Sequence, residues 1–193
     1  MKALFGWLAA ILNLLATWPY IRDILRGMVK PHAYSWAIWW VLVLITSFNQ
    51  IQNKGGWSSL FLVSGAVAVT LIFILSLKYG FGNASRLDKV CLALAGVLVV
   101  YWITVHDTRL STLMAVFIDA IGAIPTIIKT YKHPDTETYA PWVISSAATL
   151  AALLAVPRLD WVLIIYPIYI FVMNGTIIST KYFGHRKLVA ATI

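Results

Sequence analysis

The sequence predicts an all-α membrane protein of seven transmembrane helices, built as two parallel three-helix bundles joined by one linker helix. Three observations predict it. Of 193 residues, 61% are hydrophobic and 11% charged, with a mean hydropathy of +0.83, so lipid must be the solvent for most of the chain. Seven apolar stretches punctuate it, most near the roughly 20 residues that cross a bilayer. The chain also repeats itself at a spacing of 106 residues.

The first stretch, 4–21, follows a lone Lys2. It resembles a secretory signal only superficially, since the n-region is thin and no small-x-small cleavage site follows. Trp18-Pro19-Tyr20 instead continues the span. The second, 34–48, is short, but flanking tryptophans and the polar pair Asn49-Gln50 extend it. The third is 60–77. The fourth, 90–105, is also short and is Leu, Val, Ala, Ile and Gly apart from Cys91, Tyr101, Trp102 and Thr104. A single cysteine gives no disulfide framework and no CxxC site. The fifth, 110–128, carries Asp119 and Pro125. The sixth, 139–156, carries Ser145, Ser146 and Thr149. The seventh, 161–180, contains no lysine, which excludes a retinal Schiff base.

Orientation follows from the fifteen Lys and Arg, because cytosolic loops retain positive charge. Cut into seven spans, the chain places Arg22, Arg26, Lys30, Lys78, Arg86, Lys89, Lys129, Lys132, Lys181, Arg186 and Lys187 on one side. Only Lys2, Lys54, Arg109 and Arg158 fall on the other. The N-terminus is therefore expected outside and the C-terminus in the cytosol. The net charge of +8 is explained by topology and anionic headgroups without nucleic acid. The sequon Asn83-Ala84-Ser85 falls on the cytosolic side, and Asn174-Gly175-Thr176 falls within a helix. Neither is expected to carry sugar.

Shifted by 106 residues, the segment from Thr17 lies over the segment from Ala123: Pro19 on Pro125, Ile21 on Ile127, Trp36 on Trp142. Six residues before each proline stands a polar side chain, Asn13 in one copy and Asp119 in the other. Further on, with two residues deleted Thr70 faces Asn174, and with a third deleted Lys78-Tyr79 faces Lys181-Tyr182. Both copies enter from outside and finish inside, so they are parallel, which requires an odd number of helices between them. The expected division is residues 1–80 for the first bundle, 81–108 for the linker helix, and 109–193 for the second bundle with a short cytosolic tail.

This plan, with its paired prolines, resembles the PQ-loop superfamily, which includes SWEET and SemiSWEET sugar transporters and cystinosin-like carriers. In that family a glutamine usually follows the proline as its partner; here Tyr20 and Thr126 follow. The wording WPYIRDILRGMVKPHAYSW looks more like bacterial members than plant sugar carriers. The resemblance implies alternating access between the bundles, with Pro19 and Pro125 as hinges, and substrate contact by Asn174 and its counterpart Thr70. The family's sugar carriers place an aromatic on the sixth helix, where this chain has Thr149-Leu150-Ala151-Ala152; Trp39, Trp40, Asn49 and Gln50 offer a partial substitute. Cystinosin-like carriers use an acid on the second helix of the second bundle, where this chain has Ser145, Ser146 and Thr149.

The residues themselves carry a narrower set of chemistries. Each internal proline removes an amide donor and frees the carbonyl four residues earlier, at Leu15 and Ile121, which bends the helix as a hinge or as a static kink. Asp119 is the acid deepest in any span, so it must be neutral, paired or facing a wet cavity. It is a candidate for proton coupling, for substrate contact, or for a bond to a neighbouring helix. Arg22 and Asp23 form a candidate inner gate or a solvated pair. Trp7, Trp57, Trp102 and Trp161 sit near span ends as interfacial anchors, and Trp36 and Trp142 are expected to pack on the proline-bent helices. His32 and His133 stand too far from any acid or cysteine to suggest a metal.

The expectation is a carrier of a small polar metabolite, such as a sugar, amino acid or nucleoside-like compound, through a cavity lined by Asn13, Thr70, Asp119, Asn174 and Asn49, with or without proton coupling. No cofactor, metal or nucleic acid is called for, and no enzyme, since no catalytic constellation lies within one membrane layer. The bilayer and the solute are the expected partners; one chain suffices for a cavity, and a homo-oligomer is also compatible. The resemblance and terse loops point to a bacterial inner membrane. The alternative is a receptor or sorting protein on the same fold, because fold does not dictate function.

Overall fold

The computed structural model describes residues 1–81, 85–105 and 107–190. Seven α-helices follow in order: α1 (Lys2–Leu25), α2 (Ala33–Gln52), α3 (Ser59–Tyr79), α4 (Arg86–Thr104), α5 (Thr108–Lys132), α6 (Ala140–Ala155) and α7 (Trp161–Ala190). Single 3-10 turns at Gly56–Ser58 and Pro134–Thr136 precede α3 and α6. Five helices, α1, α3, α4, α5 and α7, are long and apolar enough to cross a membrane, which marks an integral membrane protein. Asn83 and Ala84 of the first sequon lie outside the described residues.

Helix lengths depart from expectation at α2, α4 and α7. α2 and α4 are not short; they run 20 and 19 residues. α6 is the short one, and its 16 residues rise about 24 Å at 1.5 Å per residue. Pro157 is the cause, since proline disfavours a helical residue before it and Val156 sits at ψ 129°. α7 has no such stop and continues as helix to Ala190, where a tail was expected.

Local signals shape the ends. Gly27 (φ 73°) closes α1 in a Schellman turn: its N–H donates to the Ile24 carbonyl (3.0 Å) and that of Met28 to the Asp23 carbonyl (2.9 Å). At α4, Ser85 and Asp88 form a reciprocal capping box, with bonds of 3.1 and 2.8 Å. The Asp107 carboxylate accepts from the N–H groups of Arg109 (2.7 Å) and Leu110 (3.2 Å) at the start of α5, and Asp160 accepts from Val162 (3.1 Å) at α7.

In the packed bundle, α3 lies against both α1 and α2, and α7 against both α5 and α6. The two groups meet where α1 packs on α6, the most extensive helix pair, and where α2 packs on α5. Small residues explain the first seam: Ala9 of α1 shares a buried cluster with Ala148, Ala151 and Ala152 of α6, and side chains this small let backbones approach. α4 packs mainly on α5 through a narrow stripe of Asp88, Cys91 and Ala95. Large apolar side chains face outward on every helix, among them Trp18, Phe48, Val67, Val97, Phe117, Leu154 and Val172. A water-soluble surface does not carry such a belt.

Gly6 shows how tight the N-terminal end of α1 is. A Cβ there would lie 2.5 Å from the Trp57 carbonyl oxygen and 2.8 Å from the Trp57 Cβ, atoms the short Gly56–Ser58 turn holds in place. Gly6→Ala is expected to destabilise the protein by about 1–3 kcal/mol, read as a lowered unfolding free energy in detergent. An unchanged value would mean the turn moves aside freely.

Candidate functional site

At the centre of the bundle lies a cavity of about 140 Å³. Residues from α1, α2, α3, α5, α6 and α7 line it, and none from α4. Of the sequence-predicted residues, Asn13, Asp119 and Asn174 line it together. Thr70 and Asn49 do not. Thr70 is turned toward α2, accepting from Trp40 Nε1 (3.0 Å) and donating to the Ala66 carbonyl (2.6 Å). Asn49 lies nearly two turns beyond Val43, the last α2 residue at the cavity, toward the end of the helix. Both corrections have one origin: hydropathy says which segment is a helix, not how it is rotated about its axis.

The polar lining is anchored in two matching ways. Asn13 Nδ2 donates from α1 to the Phe61 carbonyl (3.1 Å) and Ser64 Oγ (3.3 Å) on α3. Asp119 on α5 accepts at Oδ2 from the Tyr166 hydroxyl (2.5 Å) and at Oδ1 from the Tyr169 hydroxyl (3.0 Å), both on α7. Phe61 and Ser64 stand three residues apart, as do Tyr166 and Tyr169. Asn174 Nδ2 donates to Ser145 Oγ on α6 (3.1 Å), which ties α7 to α6 as Trp40 and Thr70 tie α2 to α3. Asp119 and Asn174 are 2% and 1% exposed, so every bond each makes is made inside the protein.

One end of the cavity is aromatic. Tyr20, Trp36, Trp39 and Trp142 all line it and touch one another. Ring centroids are 5.5 Å apart for Tyr20 and Trp36, 6.2 Å for Tyr20 and Trp142, 5.1 Å for Trp36 and Trp39, and 6.3 Å for Trp39 and Trp142. Tyr20 follows Pro19 directly, so Trp36 and Trp142 do pack on the proline-bearing helix. The Tyr20 hydroxyl and the Trp39 Nε1 are buried without a hydrogen bond of normal length and angle among the described residues, although each interacts with an acid, Tyr20 with Glu137 and Trp39 with Asp119.

Beyond this cluster two loops are knotted together by a buried ion pair. Lys129 Nζ donates to Glu137 Oε2 (2.5 Å) and to the Lys30 carbonyl (3.1 Å), and Glu137 Oε1 accepts from Trp142 Nε1 (3.3 Å). The Lys30 N–H also donates to the Thr136 carbonyl (3.2 Å). Lys129 was counted among the topology-setting charges; it is buried and committed to structure, as is Lys181, which donates to the Pro134 carbonyl. The Arg22 and Asp23 side chains pair at 2.8 Å with Arg22 half exposed. His32 is not remote from acid: its Nε2 lies 3.4 Å from Asp88 Oδ1. Burial holds the His32 imidazole below its usual pKa, while Asp88 pulls the other way.

Pro19 and Pro125 sit inside unbroken helices. A third internal proline, Pro167 in α7, has no counterpart in α3, so the repeat does not point to it. No protein-family model, curated protein or solved structure matches the chain.

Proposed function

We propose that this protein is a membrane carrier for a small polar solute, working by alternating access between two parallel halves, α1–α3 and α5–α7, with α4 as connector. In this reading all seven helices cross the bilayer, the N-terminus faces outside, the C-terminus faces the cytosol, and the membrane is a bacterial inner membrane. The PQ-loop and SWEET-like resemblance implies the same plan. The observation that carries the reading is the central cavity, to which both halves contribute and α4 does not. The matched anchors support it further: Asn13 to α3 and Asp119 to α7 make equivalent ties in the two halves. A solute held between two such units is exposed to one side or the other as they rock, and Pro19 and Pro125 supply equivalent bends.

The Lys129–Glu137 knot closes the end that carries most of the basic side chains, and Asn174 and Asp119 supply polar contact within. The test is uptake into proteoliposomes of labelled sugars, amino acids, nucleosides and amines, with and without a pH gradient. Wild type is expected to accumulate one class and Asn174→Ala to lose at least tenfold in rate, about 1.4 kcal/mol or more of solute interaction. A pH-gradient dependence that disappears in Asp119→Asn would assign proton coupling to that carboxyl. No flux of any compound through stable, folded protein would overturn the carrier reading and leave the receptor or scaffold reading in its place.

A further inference from the structure

We infer that the solute this cavity takes is a small organic ammonium ion with no acid group of its own. The inference rests on the carrier reading for what the cavity is for; the binding chemistry is argued from the lining alone.

Among the described lining residues Asp119 is the one whose side chain carries a formal charge, and no Lys, Arg or His lines the cavity. A carboxylate in a membrane interior must be neutral, paired or facing a wet cavity, and no lysine pairs with Asp119 among the described residues: Lys129 is committed to Glu137 and Lys181 to the Pro134 carbonyl. The two tyrosine bonds occupy one lone pair on each Asp119 oxygen, which leaves acceptor capacity on both. A cation from outside fits that vacancy. An amino acid or a phosphorylated compound does not, because its anionic group would find no basic partner and would face the Asp119 carboxylate.

The aromatic end makes the same selection by different physics. Tyr20, Trp36, Trp39 and Trp142 surround one end of the cavity, and ring faces attract ammonium groups most strongly where water is excluded, quaternary ammonium above all. Trp39 connects the two features: a Cβ on Gly122, one turn along α5 from Asp119, would lie 3.5 Å from its Nε1. Size agrees as well. A cavity of about 140 Å³ is close to the roughly 150 Å³ that admits a benzene ring, and choline or tetramethylammonium is of that order.

The test uses purified full-length protein in detergent, with tryptophan fluorescence reporting binding. The probes are choline, tetramethylammonium, and 3,3-dimethyl-1-butanol, the uncharged shape-mimic of choline. The two cations are expected to quench saturably and to bind at least tenfold more tightly than the alcohol. Asp119→Asn is expected to erase that preference, and Trp39→Leu to weaken the cations several-fold more than the alcohol. Equal binding of choline and the alcohol by wild type, which needs no variant to fold, would overturn the inference. So would a cation preference that survives in Asp119→Asn, or no saturable binding of either cation. Cation binding without choline uptake into proteoliposomes would keep the site and remove the carrier. Uptake confined to neutral solutes, with no cation binding, would keep the carrier and remove this inference.

Discussion

Lys129→Ala is expected to destabilise the folded protein by about 3–5 kcal/mol, the cost of breaking a buried ion pair from one side. The Lys129 and Glu137 side chains are 2% and 0% exposed, so water cannot replace the missing ammonium. The substitution leaves the Glu137 carboxylate with Trp142 Nε1 and the neighbouring Tyr20 hydroxyl in place of an ammonium, and removes the donor to the Lys30 carbonyl. Glu137→Gln is expected to cost less. It keeps the Trp142 bond, and the Lys129 ammonium retains the Lys30 carbonyl at 3.1 Å. The double variant Lys129→Met/Glu137→Leu should recover most of the loss, since an apolar pair of similar volume carries no desolvation penalty. Denaturant unfolding in detergent micelles of the three variants tests that order directly. A loss under about 1 kcal/mol for Lys129→Ala would place the pair among solvated surface pairs and contradict its burial.

The succession of helices was legible in the sequence because hydropathy windows report length and apolarity directly. Their ends were less so. Pro157 ends α6 within one residue of the expected limit at Val156, but α7 had no stop signal, and apolar content falls off before the helix does. Asn13 and Asp119 were found because duplication puts a polar residue at the same distance from each proline. Their partners were not found, because a contact between positions 119 and 166 has no periodic signature. Phe61/Ser64 and Tyr166/Tyr169 share one spacing, and that is the trace they leave. Lys129 was misread for a different reason: counting charges per loop treats every lysine as solvated, and burial depends on the fold. Thr70 and Asn49 were misplaced because α2 and α3 carry apolar residues nearly all round, so no stripe indicates which face turns inward.

Asp119→Leu is expected to cost about 2–4 kcal/mol of stability, since it leaves two phenols without an acceptor at about 1–3 kcal/mol for a fully buried one. Tyr166 is buried and Tyr169 half-buried, and a membrane interior offers neither phenol water in exchange. Asn13→Leu, the matching change in the other half, should cost less, because Ser64 Oγ already donates to the Phe61 carbonyl (2.9 Å) and no donor is stranded. Asp119→Asn keeps an acceptor oxygen and the side-chain shape, so its unfolding free energy should stay within about 1 kcal/mol of wild type. That difference makes the pair of variants diagnostic. If Leu destabilises and Asn does not, the tyrosines need an acceptor but not a charge. A loss of ammonium binding in Asp119→Asn then belongs to the interaction with the solute. If both variants destabilise equally, the charge itself holds α5 to α7, and Asp119 is a structural carboxyl that the cavity happens to expose.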